Sequence, residues 1–377
     1  MKRRDKKYSV FLASISLLLL LIIFSFTESV STAQSDSFVE YAYVPNEKTN
    51  DVSIINTTTN KVISTLPVRN IPDGVAVNHD GTKVYVTNFG NDNDPGNSIS
   101  IINTDTDTVI TMLVGAGRGL KPFGVAIAPD ETLYVANFLT NTVHAINPII
   151  NYCSPPIQVG SGPLGVAITP NGKWVYVANS GSNSVSVIDT ANETVIDTVN
   201  VGMYPYGVAV SPDGAKVYVT NSNSHNVSII ETATNNISAT VQVTNYPHGI
   251  AVTPDGRRVY VANHCKYIGT VSVINTTTNT VTKNISVDGN PCGVAVTHDG
   301  RRVYVTTADS ETDSGSVSVI NTTTDTVIPG RIIVGTSPSG VGQFIGSFND
   351  SRIETTTVLN CSSNQYLIQY LVGKPIT

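Results

Sequence analysis

Two histidines and two cysteines, His248, His264, Cys265 and Cys292, stand within 45 residues of one another in a chain of 377 that holds six histidines and four cysteines in all. Imidazole nitrogen and thiolate sulfur grouped in this way suit zinc or copper. In an oxidising compartment the same cysteines have a simpler outcome, a Cys265–Cys292 disulfide, and that is the expectation, with no metal and no other cofactor. Cys153 and Cys361 are left with no argument for pairing them. Carboxylates alternate in two loops, at Asp92 and Asp94 and at Asp309, Glu311 and Asp313 before Gly315. Neither loop has the full ligand spacing of a calcium site, so both read as solvated loops. Gly-x-Ser-x-Gly, a phosphate loop and His-Glu-x-x-His are all missing from the sequence.

The elements that must position these residues form a repeat. In the stretch from Pro205 to Asn221, PYGVAVSPDGAKVYVTN, an apolar run meets Pro212-Asp213-Gly214, and a second apolar run ends at Asn221. Valine, tyrosine and threonine suit a pleated strand, and Pro-Asp-Gly supplies a preset φ and a permissive glycine for the reversal. The unit is a β-hairpin. Its second strand begins at Tyr43, Tyr85, Tyr134, Tyr176, Tyr218, Tyr260 and Tyr304, at intervals of 42, 49, 42, 42, 42 and 44 residues. Two more strands follow each hairpin, as in Ser184 to Asp189 and Thr194 to Val201. Four short strands in a period in the low forties make one propeller blade. Thr142 to Val159 is a degenerate copy whose prolines, Pro148, Pro155 and Pro156, belong on a weakened rim.

A Pro-x-Gly precedes the innermost strand at Pro72, Pro122, Pro163, Pro205, Pro247, Pro291 and Pro338. The first tyrosine, Tyr43, has no such strand before it, and the last Pro-x-Gly has no tyrosine after it. Each end therefore carries what the other lacks. Gly340 to Gly346 is expected to pair beside Glu40 to Pro45, completing an all-β, seven-bladed β-propeller of four-stranded blades.

These repeats resemble the YVTN-type seven-bladed β-propellers of exported and surface-layer proteins, through Tyr85-Val-Thr-Asn88, Tyr134-Val-Ala-Asn137, Tyr176-Val-Ala-Asn179, Tyr218-Val-Thr-Asn221 and Tyr260-Val-Ala-Asn263. The resemblance covers residues 40–348. Thr307 departs from it in place of Asn, and His79 and His298 in place of the turn proline. It implies a location outside the cytoplasm and no single activity. Enzymes of this architecture, lactonases and some lyases among them, gather acids, Asn or His around the channel to hold a divalent metal.

In a propeller the innermost strands line a central channel, so the x of each Pro-x-Gly should sit at one mouth. Those residues are Asp73, Phe123, Leu164, Tyr206, His248, Cys292 and Ser339. They are the candidate ligand contacts, and as a structural alternative they plug the mouth. One Asp and one His among seven do not make a metal centre, so no catalytic residue is assigned. His264 and Cys265, in the loop after a tyrosine tetrad, should open on the same face.

Lys2, Arg3, Arg4, Lys6 and Lys7 precede an apolar run from Val10 to Phe26, and Ser31-Thr32-Ala33 follow. Basic, apolar, then small is the pattern of a secretory signal, with cleavage expected after Ala33; retention as a membrane anchor is the alternative. The expected layout is a signal or anchor at 1–33, a linker at 34–39, the propeller at 40–348 and a tail at 349–377. Without residues 1–33 the chain keeps 17 Lys and Arg against 26 Asp and Glu, a net charge of −9. Such a surface repels phosphate backbones and anionic membranes, which excludes nucleic acid as the natural partner. Export also makes the Asn-x-Ser/Thr triplets at Asn56, Asn192, Asn226, Asn236, Asn275, Asn284, Asn321, Asn349 and Asn360 candidate glycan acceptors. The reading is a secreted or cell-surface, non-catalytic binding or envelope module with a protein or glycan partner. The alternative is a metal-dependent, lactonase-like hydrolase or lyase at the channel mouth.

Overall fold

A computed structural model describes residues 39–348, apart from 92–94, 115–119, 151, 266–268, 310 and 313. The expected signal or anchor, most of the linker and the whole tail lie outside the described residues. Seven antiparallel sheets are present. Blade 4 is typical: Pro205–Val210, Lys216–Asn221, Asn226–Glu231 and Asn236–Gln242 pair in sequence order from the inside outward. Blades 1, 3 and 5 repeat it, beginning at Pro72–Val77, Pro163–Ile168 and Pro247–Val252.

The tyrosine of each tetrad and the valines beside it are buried, and their neighbours on the next blade complete the core. Some of these tyrosines also tie blade to blade through their hydroxyls. Tyr176 donates to Asn235 Oδ1 at 3.0 Å, Tyr260 to Asp325 Oδ1 at 2.6 Å and Tyr304 to Asn60 Oδ1 at 2.5 Å. The tetrad Asn works within its own blade. Asn221 Nδ2 donates to Asn226 Oδ1 and Ser228 Oγ at 2.8 and 2.9 Å, pinning the second strand to the third. Thr307 replaces that amide with hydrogen bonds to Ser316.

The fixed glycine of Pro-x-Gly has a steric cause. A Cβ on Gly207 would sit 2.5 Å from the carbonyl oxygen of His248 on the next blade. The other inner glycines face the same obstacle, Gly74 against Phe123, Gly124 against Leu164, Gly165 against Tyr206 and Gly249 against Cys292. Only glycine lets adjacent innermost strands approach this closely.

The two ends meet as expected, with a correction in register. Ile345–Phe348 pairs antiparallel with Val39–Asn46, and Asp51–Asn56 and Lys61–Pro67 complete blade 7. In blade 4, Val210 lies opposite Val217, five positions after its proline; in blade 7, Ile345 lies opposite Ala42, seven after Pro338. The two extra residues bow the segment inward, through Gly340 and Gly342 at φ of 108° and 122°. Val341 there bridges Gly74 of the adjoining blade 1 in parallel. The paired inner strand is therefore shorter than Gly340 to Gly346.

The rim of the degenerate blade is broken as its prolines require, into Tyr152–Cys153 and Ile157–Gln158. Blade 6 is broken too, into Thr326–Val327 and Ile332–Val334, which a regular strand through Val334 did not anticipate. Pro329 and Gly330 fall in that gap, where proline cannot donate to a ladder.

Candidate functional site

The seven x residues come together in one ring, because six inner glycines abut the backbone of the next x residue and the Ser339 hydroxyl reaches the Asp73 carbonyl. Two arcs differ in character. On one, Phe123, Leu164 and Val341 are buried together, with Phe89, Phe138 and Tyr206 packed against them. Phe123 meets the edges of Phe89 and Tyr206 at 6.0 and 5.6 Å between centroids, the geometry that aromatic quadrupoles favour.

The other arc is polar. Tyr206 stacks on His248 at 4.3 Å, and His248 stacks on His264 at 4.7 Å, so the loop after the tetrad does open on the same face. Burial holds the His248 ring far below the usual imidazole range, at about 3, with the neighbouring His264 adding to the effect. It is neutral at physiological pH. His264 is depressed by burial as well, and its ring is hydrogen-bonded to the Pro291 carbonyl. The Nδ1 atoms of both rings are buried without a partner.

The expected Cys265–Cys292 disulfide is not formed, and both thiols are free. The Cys292 thiol is hydrogen-bonded with Tyr206, and burial followed by the charges of Asp73 and Glu47 pushes it well above the ordinary thiol range. A thiol held protonated is a poor nucleophile and a poor metal ligand.

Glu47 is the residue that sequence reasoning missed. It directly follows the first tetrad and is half-buried, with its backbone N–H donating to the Ser337 carbonyl at 3.1 Å. Burial and the Asp73 carboxylate both raise its carboxyl. Asp73 is raised by its own burial, while the Ser339 hydroxyl that donates to it works the other way. The signal was one of place: Glu47 reaches Asp73 only because the ends of the chain meet beside it. Among the described residues no group of three His, Cys, Asp or Glu is placed to hold a metal ion.

Of the acidic loops, Asp92, Asp94 and Asp313 lie outside the described residues. Asp309 accepts from Glu311 N, Thr312 N and Thr312 Oγ1 in a local turn. The turn histidines bridge blades. His79 Nδ1 lies 3.8 Å from Glu131 and His298 Nδ1 lies 3.0 Å from Glu40. His144 receives Asn137 Nδ2 at 2.8 Å inside its own blade.

Outside the ring, the motif face carries an aromatic arc. Tyr204 and Tyr246, each just before a Pro-x-Gly, have φ of 55° and 47° and are 37% and 49% exposed. The Tyr246 N–H donates to His225 Nδ1 at 3.0 Å, and the two rings meet edge to face at 4.9 Å. Met203 is exposed beside Tyr204.

Ring and repeat make the chain a seven-bladed β-propeller, with which its Tyr-Val-x-Asn tetrads are consistent. Residues 120–226 match the family model of the YNCE-like beta-propeller. A 49-residue stretch is 45% identical to the PE-PGRS family protein PE_PGRS18 of Mycobacterium tuberculosis, covering 13% of this chain and 11% of that one. The match thus spans about a tenth of that relative's length. Among solved structures, a functionally unknown protein from Desulfotomaculum acetoxidans is similar at a TM-score of 0.66 and 19% identity, over 82% of this chain and 98% of that one. A candidate 6-phosphogluconolactonase from Bacteroides uniformis is similar at 0.65 and 17%, over 82% and 99%. Identities this low speak for the fold alone.

Proposed function

We propose that this chain is an exported, non-catalytic binding module that meets a protein or glycan at the cell surface through its motif face and rim. The observation that carries this reading is how the channel mouth is filled. Asp73, Phe123, Leu164 and Ser339 are each no more than 8% exposed, and Tyr206, His248 and Cys292 are half-buried, so the ring's own side chains take much of the place a substrate would need. What stays accessible beside them is the arc of Tyr204, Tyr246 and Met203. Aromatic rings with polar tips suit sugar faces and protein surfaces alike. The basic-apolar-small N-terminal pattern supports export, and the acidic balance disfavours nucleic acid.

One observation favours the lactonase-like alternative, the raised carboxyl pair of Asp73 and Glu47, whose charges act on Cys292 and Tyr206 of the same ring. Perturbed acids gather at catalytic sites. A single comparison separates the two readings: the mature chain is immobilised and titrated with cell-envelope polysaccharide and protein fractions, with and without a chelator. The binding reading expects saturable binding that falls tenfold or more in the Tyr204→Ala, Tyr246→Ala double variant and ignores the chelator. Chelator-sensitive lactone hydrolysis, with a stoichiometric ion lost in His248→Ala, overturns it.

A further inference from the structure

At the opposite end of the channel from the Pro-x-Gly ring the molecule is open. The innermost strands surround a chamber of about 400 Å³, within the range of small-ligand sites, ~300–1,000 Å³. Its walls are the Val/Ile-Ala-Val/Ile triplets of successive blades, among them Val166-Ala167-Ile168 and Val208-Ala209-Val210. Its floor is closed by the inward bow of blade 7, where Val341 is buried against Phe123 and Leu164. It is a blind cup.

Two features say what it would take. The lining contains no Asp, Glu, Lys or Arg. Its two histidines, His79 and His298, are each already turned to a carboxylate of the next blade. A charged ligand would leave water for a place without a counter-charge, which is costly. The second feature is the backbone. Each innermost strand is terminal in its sheet, so one row of its N–H and C=O groups faces the channel without a neighbouring strand. At one point that row is already used: Val75 N–H donates to the Val341 carbonyl at 3.2 Å, in a parallel bridge between Gly74 and Val341. The edge thus accepts a main-chain carbonyl from the segment of blade 7 beside it.

We propose that the cup binds a short, uncharged, extended peptide segment with small apolar side chains, held by main-chain hydrogen bonds to the inner strand edges. Main-chain pairing supplies affinity and the alanine-lined wall limits side-chain size. Gln343, exposed in the cup wall with Nε2 3.3 Å from the Ile345 carbonyl, is the side-chain amide placed to assist. This site is separate from the motif face, so it stands or falls apart from the envelope-binding reading.

The test titrates the mature chain with N-acetyl-Val-Ala-Val-amide, followed by saturation-transfer NMR and calorimetry, beside the same peptide with aspartate in the middle. Saturable binding of the neutral peptide, at least tenfold weaker binding of the acidic one, and tenfold loss in Ala209→Phe support the proposal. Gln343→Glu, which only adds a charge at the cup, should weaken binding comparably and guards against misfolding of the alanine variant. Absence of saturable binding by the neutral peptide overturns the proposal. So does binding unchanged in both variants, with circular dichroism and Tm at wild-type values.

Discussion

Glu40 Oε1 accepts the backbone N–H of His298 at 2.8 Å and lies 3.0 Å from its ring Nδ1, across the seam where blade 6 meets the blade built from both ends of the chain. Arg302 donates across the same seam to the Thr57 carbonyl, and the Tyr304 hydroxyl lies 3.1 Å from that oxygen. Closure therefore rests on side chains of blade 6 as well as on strand pairing.

The hydrogen bond to Glu40 raises the His298 ring above the ordinary imidazole range. A group raised in the folded state stabilises fully below its unfolded pKa, near 6.5, and that stabilisation is lost as pH rises through the folded value. With the ring 54% exposed, the contribution is small, roughly 0.5–1 kcal/mol. Melting curves between pH 6 and 8.5 should show a fall in Tm for the wild type that is reduced in Glu40→Gln. Equal pH dependence in the two proteins counts against the clamp.

The Asp73–Glu47 pair acts in the same direction over a wider window. Unfolded carboxyls titrate near ~4. Burial pushes Asp73 up to about 7, and burial with repulsion from Asp73 pushes Glu47 up to about 8. Between these limits the folded chain holds protons the unfolded chain has lost, so the stability the pair contributes falls as pH rises from 4 toward 8. Asp73→Asn removes the repulsion, so its Tm should equal or exceed that of the wild type at pH 8. At pH 4 it should offer no advantage. A variant less stable than wild type at pH 8 by as much as at pH 4 contradicts the pairing.

Thr220 Oγ1 links two blades, accepting the Gly207 N–H at 2.8 Å and donating to the His248 carbonyl at 2.7 Å. Thr220→Val leaves both groups buried without that partner, at a cost of about 1–3 kcal/mol. Gly207→Ala drives a methyl against the same carbonyl and should cost about 1–3 kcal/mol through overpacking. Urea denaturation measures both. Values near zero would mean that neighbouring inner strands do not approach as described.

The sequence made the blades legible because everything within a blade is local. Tyr-Val-x-Asn, the turn residues and Pro-x-Gly all act inside one hairpin or on its nearest neighbour. What it hid depends on ring closure. Glu47 and Asp73 are 26 positions apart and belong to different blades, and Glu40 and His298 are separated by 258. The cup could not be read either. Its floor comes from two extra residues after Pro338, whose effect depends on where Ala42 finds its partner. The free thiols of Cys265 and Cys292 were missed because pairing depends on side-chain direction, and the Cys292 thiol turns to Tyr206.

The joining of the chain's ends is tested most directly by hydrogen exchange at one amide. The Tyr43 N–H donates to the Phe344 carbonyl at 2.8 Å, a bond that exists only if the two ends share a blade. Its exchange should be as slow as that of Tyr218, which holds the equivalent position inside blade 4. Exchange of Tyr43 at the rate of an open strand edge, while Tyr218 stays protected, would contradict the closed ring.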